Sequence, residues 1–214
     1  KILEIKMEIE LKFLVEDQLA RDRILQDKYL EETAQKDSKE EIRMNATYFD
    51  TEDLDLCKNK MALRVRFENG KPVVTLKWGG SSQNGLHVRG ELNVHVSETF
   101  IESPDIDVFK GSEIYEEIKN ASCGKKLMPL MQVECLRKQM MVDTGKSISV
   151  VSLDVGKVIT PKGDSDISEL EIELYSGDQS DMIELGKRLA TKYNLKESNV
   201  SKFQRGLELM ELQV

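Results

Sequence analysis

Charged and apolar residues alternate strictly in two distant stretches of the chain. In "MEIELKF", Glu8, Glu10 and Lys12 stand at every second position with apolar residues between them. In "ELEIEL", residues 169–174, three glutamates alternate with leucine and isoleucine in the same way. Successive side chains of a β-strand point to opposite faces, so each stretch predicts a strand with one charged face and one apolar face.

Cationic side chains recur with the same two-residue period elsewhere in the chain. Arg64 and Arg66 alternate with apolar residues in "LRVRF", and Arg89 and Glu91 do so in "HVRGELNVH". Other apolar stretches carry single charged residues, which are Lys77 in "TLKW", Arg137 in "CLRK" and Asp154 in "SLDVG". The apolar stretches therefore predict a series of strands that carry charge on one face.

A charged strand face has two interpretations. For a single strand, a solvent-exposed face is the more common one, because charged side chains are mostly exposed. Three glutamates in succession, however, repel one another on an exposed strand, and glutamate is depleted in strands. Strands that close around a polar interior would bring the carboxylate row and the cationic rows together. The sequence therefore predicts an α+β fold built on a closed antiparallel β-barrel, with charge inside and apolar packing outside.

Helices are predicted between and after these strands. Their segments, indicated by apolar residues at helical spacing or by local composition, are 16–36, 103–121, 181–195 and 201–212. The Asn69–Gly70 pair between two apolar runs predicts a tight hairpin turn. Because no repeat, low-complexity segment or linker interrupts the pattern, we expect one domain over residues 7–214. Residues 1–6 are expected to be an N-terminal extension or residues added for expression.

Charge and cysteine content limit the class of protein. The formal net charge of −8 argues against a generic nucleic-acid-binding protein, since non-specific affinity for phosphate backbones comes from excess Lys and Arg. The three cysteines are widely spaced and suggest neither a disulfide framework nor a zinc site. No apolar run approaches the roughly 20 residues of a membrane span, and no signal-peptide core is evident. We therefore expect a cytoplasmic monomer or homodimer without nucleic-acid or membrane partners.

The in-phase charged residues form two sets that balance each other. The cations are Lys12, Arg64, Arg66, Lys77, Arg89, Arg137 and Lys202, and the anions are Glu8, Glu10, Glu91, Asp154, Glu169, Glu171 and Glu173. Buried charges need partners, because unpaired burial is costly. Clustered carboxylates favour hard divalent cations such as Mg²⁺ or Mn²⁺, and clustered arginines and lysines favour an anion with several oxygens. A metal-bound polyphosphate satisfies both sets.

The stretch "EIELK" resembles the ExExK signature of the CYTH superfamily, also called triphosphate tunnel metalloenzymes. The resemblance continues in order along nearly the whole chain, through "YFDT", "LRVR", "TLK", "RGEL", "LDVG", "ELEIEL" and "SNVSKFQRGLEL". This ordered series is more specific than the short signature alone. The resemblance implies a closed antiparallel tunnel of about eight strands, with helices packed outside, that binds a triphosphate together with a divalent metal.

The resemblance also implies roles for residues by their position. The implied metal ligands are Glu8, Glu10, Glu171 and Glu173, with Asp154 at an acidic position near the metal or the basic residues. The phosphates would be bound by Lys12, Arg64, Arg66, Lys77, Arg89 and Arg137, and by Lys202 of the C-terminal Ser-Lys pair. Glu91 and Glu169 are expected to orient arginine, lysine or water. Asn93 is a departure, since relatives often carry an acid at this position.

The predicted reaction is metal-assisted phosphoryl transfer to water, with about two Mg²⁺ or Mn²⁺ ions in the site. Glu171 is the first candidate for orienting or deprotonating the water, and Glu10 is the second. Lys12 and Arg66 are the cations expected to stabilise charge on the transferring group. Inorganic tripolyphosphate, cleaved to pyrophosphate and phosphate, is the preferred substrate.

Other functions remain open at this point. Within the same superfamily they are thiamine triphosphatase, then a class IV-like adenylate cyclase, with RNA 5′-triphosphatase less favoured. An alternative of another class is a non-catalytic module that binds polyphosphate or a nucleotide.

Overall fold

The computed structural model of the protein describes residues 3, 5–68 and 70–212. Within these residues, nine strands are present: β1 (Lys6–Leu14), β2 (Glu40–Asp50), β3 (Met61–Glu68), β4 (Lys71–Gln83), β5 (Leu86–His95), β6 (Met128–Asp143), β7 (Ser147–Thr160), β8 (Gly163–Gly177) and β9 (Lys196–Glu197). The same residues form six α-helices: α1 (Gln18–Arg23), α2 (Lys28–Thr33), α3 (Asp55–Lys58), α4 (Tyr115–Ser122), α5 (Gln179–Tyr193) and α6 (Lys202–Leu209).

The first eight strands close into an antiparallel barrel. The sheet order is β5–β4–β3–β2–β6–β7–β8–β1–β9, and β5 also pairs with β1. The closing register joins Glu8 to Arg89, and the register on the other side of β1 joins Lys12 to Glu171. The predicted closed antiparallel barrel with helices packed outside is confirmed, and the charged faces of β1, β5 and β8 are neighbours.

The apolar faces of the strands pack outward against helices. Leu11 and Phe13 of β1 belong to a buried cluster with Leu185 and Leu189 of α5. Gly186 allows this close contact, since a Cβ atom there would lie 2.5 Å from the Leu11 side chain. Because these side chains alternate with Glu10 and Lys12, the outward packing of one face turns the other face toward the barrel interior.

Helix α6 stands at one end of the barrel. Leu207 and Met210 of α6 pack in one buried cluster with Ala46 of β2 and Val133 of β6. Gly206 permits the approach, because a Cβ atom there would clash with the Met131 side chain. The first residue of α6 is Lys202, so the packing of this helix directs a cation toward the interior.

Two predicted helices are less regular than their sequences suggested. The segment 16–36 forms α1, a short 3₁₀ turn and α2, because Asp27 starts a new helix by accepting a hydrogen bond from the Tyr29 N–H. The segment 103–121 contains a 3₁₀ turn and all of α4 except its last residue. The predicted turn residue Asn69 lies outside the described residues. None of the described helices is long and apolar enough to cross a membrane.

Candidate active site

The barrel encloses a cavity of about 520 Å³. Twelve of the fourteen charged residues predicted to face the interior line it, namely Glu8, Glu10, Lys12, Arg64, Arg66, Lys77, Arg89, Glu91, Arg137, Glu171, Glu173 and Lys202. The other two, Asp154 and Glu169, are fully buried behind this lining. The charged faces of separate strands therefore meet in one space.

Glu8 on β1 is held between two cations. Its Oε1 accepts a hydrogen bond from Lys77 Nζ at 2.6 Å, and its Oε2 accepts one from Arg89 Nε. Burial raises the pKa of the Glu8 carboxyl, but Lys77 and Arg89 outweigh burial and lower this pKa to about 2. Arg89 also donates to Glu10 at 3.0 Å, and Lys77 lies 3.0 Å from Glu91. The contacts with Lys77 and Arg89 keep the Glu8 carboxylate ionised inside the barrel.

A second charged cluster lies where α6 meets the barrel. Lys202 Nζ is 2.7 Å from Glu171, 2.8 Å from Asp154 and 3.1 Å from Glu169. Arg137 donates to both oxygens of Asp154 at 2.7 Å and to Glu171 at 2.6 Å. Asp154 thus orients two cations from behind the cavity wall, and its role as a metal ligand stays a prediction.

Lys12 joins the two clusters. Its Nζ lies 3.0 Å from Glu171 on β8 and 3.6 Å from Glu10 on its own strand. Burial lowers the pKa of the Lys12 ammonium, but Glu171 and Glu10 outweigh burial and raise it. The ammonium therefore stays charged in the barrel interior.

Arg64 differs from its neighbours because it forms no ion pair with any described carboxylate. Its guanidinium contacts the Thr75 hydroxyl at 3.5 Å, and its buried Nε has no hydrogen-bond partner within the described residues. Arg64 is half-buried; burial lowers the pKa of its guanidinium, but Tyr48, Glu91 and Glu8 outweigh burial and raise it. Because none of the described carboxylates forms an ion pair with Arg64, an anionic ligand beside this guanidinium would displace no ion pair.

Tyr48 is a residue that the sequence reasoning missed. Its ring lies in the cavity wall on β2 and packs against Phe203 of α6 at 5.1 Å between ring centroids. Burial raises the pKa of the Tyr48 hydroxyl, but Arg64, Lys77 and Lys202 outweigh burial and lower it. The residue was missed because the inward face of β2 is otherwise apolar, so charge alternation does not mark it. Its register opposite Arg64 is the signal that could have found it.

Glu173 is the carboxylate in the cavity that makes no ion pair within the described part of the chain. It faces Glu10 across the β1–β8 register. Burial, followed by the negative charges of Glu8 and Glu91, raises the pKa of its carboxyl to about 7. In the present side-chain arrangement, no group of three or more His, Cys, Asp or Glu among the described residues is positioned to hold a metal ion.

The donor set nevertheless fits a divalent cation in its chemistry. Oxygen atoms of carboxylates are the ligands that Mg²⁺ and Mn²⁺ prefer. Glu173 has no cation of its own and is repelled by Glu8, Glu91 and Glu10. A cation among Glu8, Glu10 and Glu173 would relieve this repulsion.

Comparison with known proteins identifies the family. A family model described as the CYTH domain matches residues 6–207. The chain belongs to the CYTH domain family. This CYTH chain is 32% identical over 160 residues to an inorganic triphosphatase of Haemophilus influenzae, a match that covers 75% of the chain. It spans only 44% of the length of that relative.

Solved structures share the fold of this CYTH chain. A Hippeastrum protein, described as a candidate adenylyl cyclase with a dominant triphosphatase activity, superposes with a TM-score of 0.69 at 18% identity and covers 97% of both chains. A candidate adenylate cyclase from Bacillus halodurans superposes with a TM-score of 0.62 at 21% identity, covering 94% of this chain and 97% of its own. At these identities the similarity concerns the fold.

Proposed function

We propose that the protein hydrolyses a triphosphate with the help of divalent cations, and that inorganic tripolyphosphate, cleaved to pyrophosphate and phosphate, is its substrate. The inorganic triphosphatase of Haemophilus influenzae supports this choice, because it is 32% identical over 160 residues. The cavity supports it chemically, since it combines cations for phosphate oxygens with carboxylates for metal ions.

The observation that carries the proposal is the guanidinium of Arg64. It is a half-buried cation whose buried Nε has no hydrogen-bond partner among the described residues, while most other cations of the cavity already contact carboxylates. The predicted cations and anions of the interior are equal in number. The cations therefore leave the negative charge of a bound polyanion unneutralised. Divalent cations are the partners that compensate this added charge.

Three carboxylates would hold the metal, namely those of Glu8, Glu10 and Glu173, with Glu171 beside them. Mg²⁺ or Mn²⁺ supplies compensation of phosphate charge and lowers the pKa of bound water. The proposal includes about two ions in the site, of either Mg²⁺ or Mn²⁺.

The cationic residues of the barrel would bind the phosphates. Arginine can bind two phosphate oxygens at once, whereas lysine acts as a point charge. Arg64 and Arg66 lie two residues apart on β3, and both line the cavity together with Arg89 of β5. Lys12 and Lys202 converge on Glu171, so substrate binding there competes with an existing ion pair.

Glu171 is the proposed residue that orients or deprotonates the attacking water. Its carboxyl contacts Lys12, Lys202 and Arg137, which outweigh the effect of burial and lower its pKa. The carboxylate is therefore ionised and can accept a hydrogen bond from water. Glu10, which lines the same cavity, is the second choice.

The test is a substrate panel with product identification. Tripolyphosphate, thiamine triphosphate, ATP and pyrophosphate are each incubated with the protein and Mg²⁺ or Mn²⁺. We expect phosphate and pyrophosphate from tripolyphosphate, and no release in EDTA. Faster phosphate release from thiamine triphosphate than from tripolyphosphate would make thiamine triphosphate the substrate. Formation of cyclic AMP from ATP would contradict the proposed hydrolysis. Tight binding of tripolyphosphate without turnover would indicate a binding module.

A further inference from the structure

The segment between β9 and α6 is attached to the barrel by side chains that the proposed chemistry does not use. Asn199 Oδ1 accepts a hydrogen bond from the Gly85 N–H at 2.9 Å, and Ser82 Oγ donates to the Asn199 carbonyl at 3.0 Å. His87 Nε2 lies 2.8 Å from the Ser198 carbonyl. These contacts join residues 198–199 to the hairpin between β4 and β5.

Gly85 is the point where three segments of the chain meet. Its carbonyl accepts from the Lys12 N–H at 2.8 Å, and the Ser198 N–H donates to the Lys12 carbonyl at 2.9 Å. Gly85 has φ +74, and a Cβ atom there would lie 2.8 Å from the Lys12 carbonyl oxygen and 3.2 Å from Glu197. Glycine therefore permits the close approach of β1, the hairpin and the 198–199 segment.

Lys202 follows this anchored segment by three residues. Ser201 caps α6 by accepting from the Gln204 N–H at 3.1 Å, so the helix begins directly after the anchor. Lys202 Nζ then lies within 3.1 Å of Glu171, Asp154 and Glu169. The anchored residues 198–199 therefore lie just before the start of α6 and three residues before this ammonium.

We infer that Asn199 is a positioning residue that fixes Lys202 in the cavity by anchoring the start of α6 to the β4–β5 hairpin. The inference rests on the proposed function, because it assigns Lys202 to phosphate binding. Asn199 is exposed at the surface, so its side chain can be changed without disturbing the core. It acts through the backbone of residues 198–201 and contacts no phosphate itself.

The test measures the dissociation constant of tripolyphosphate by calorimetry in EDTA, so that the ligand is not consumed. Asn199→Ala is expected to weaken binding about tenfold, the size of a typical coupling between connected groups. Asn199→Asp keeps the acceptor for the Gly85 N–H and is expected to bind as the wild type does. Lys196→Ala, in the preceding strand β9, removes an ion pair with the exposed Glu16, serves as the matched control and should change nothing.

A double-mutant cycle separates positioning from a general loss of structure. In a Lys202→Met background, Asn199→Ala should have little further effect on affinity, because the residue it positions is absent. An unchanged affinity in Asn199→Ala, or an equal loss with and without Lys202, would overturn the inference. Ser82→Ala, which removes the other hydrogen bond to Asn199, provides a second variant expected to weaken binding in the same direction.

A readout without substrate keeps this inference distinct from the proposed function. If the wild type binds no tripolyphosphate in EDTA and releases no phosphate from it with Mg²⁺ or Mn²⁺, the proposed function fails, and the anchor is then judged by the rate of tryptic cleavage after Lys202. That cleavage should be faster in Asn199→Ala than in the wild type and Asn199→Asp, since local opening exposes the bond. Equal cleavage rates would overturn the anchor.

Discussion

At the scale of single residues, several cations of the cavity form ion pairs with carboxylates, whereas Arg64 forms none with the described carboxylates. Lys77, Arg89 and Arg137 each contact carboxylates, whereas the Nε of Arg64 has no partner within the described residues. A ligand phosphate must compete with carboxylates at the paired cations. It meets no such competitor at Arg64, so this residue should contribute strongly to affinity.

Replacement of Arg64 tests this difference. Arg64→Gln removes the charge but keeps a polar side chain, and we expect the dissociation constant for tripolyphosphate to rise about 10- to 100-fold, the range for hydrogen bonds to charged groups. Arg43→Gln is the matched control, since Arg43 is exposed on the neighbouring strand β2 and does not line the cavity. Similar affinities for the two variants would contradict the assignment of Arg64.

At the scale of elements, a helix junction outside the barrel provides a test of stability. Asp27 begins α2, and its carboxylate also accepts hydrogen bonds from Lys192 and from the Tyr193 hydroxyl of α5. Burial raises the pKa of the Asp27 carboxyl, but these hydrogen bonds outweigh burial and lower it. The ionised carboxylate therefore stabilises the folded state above the pKa of the unfolded chain, and this contribution is lost as the pH falls through the folded pKa.

Asp27→Asn should lower the free energy of unfolding by about 1 kcal/mol at pH 7, the usual size for such hydrogen bonds. The difference from the wild type should shrink toward pH 3, as the wild-type carboxyl becomes protonated. Urea denaturation at pH 7, 5 and 3 measures both values. Asp17→Asn, at the start of α1, is the control, because Asp17 also caps a helix but forms no ion pair within the described residues. A constant difference at all three pH values would refute the electrostatic explanation.

The regular elements were the most predictable from the sequence. The alternation in "MEIELKF" identified β1, and the helical period of 181–195 identified α5 (Gln179–Tyr193). The break of 16–36 at Asp27 was not predicted, because the apolar spacing continues across Asp27. Its carboxylate caps α2 and is also held by Lys192 and Tyr193 of α5, which are distant in sequence. The burial of Asp154 and Glu169 behind the cavity lining could not be predicted either. Strand periodicity indicates which face a side chain lies on, but not how deeply it is buried behind its neighbours.

At the scale of the whole molecule, barrel closure explains why charge alternation carries functional information. Each strand alone could expose its charged face, yet the pairing of β5 with β1 encloses the charged faces together. Pairing between distant strands, such as β2 with β6, could not be read from the sequence, because alternation specifies no partner. This pairing brings Tyr48 and the apolar residues under α6 into the cavity wall.

The central claim is that the barrel interior binds a metal–triphosphate complex. Crystals grown with tripolyphosphate and Mn²⁺, with diffraction data collected at the manganese absorption edge, test it most directly. We expect anomalous density beside Glu8, Glu10 and Glu173, with phosphate density next to the guanidinium of Arg64. Manganese and phosphate bound only outside the barrel, or an interior without either, would contradict it.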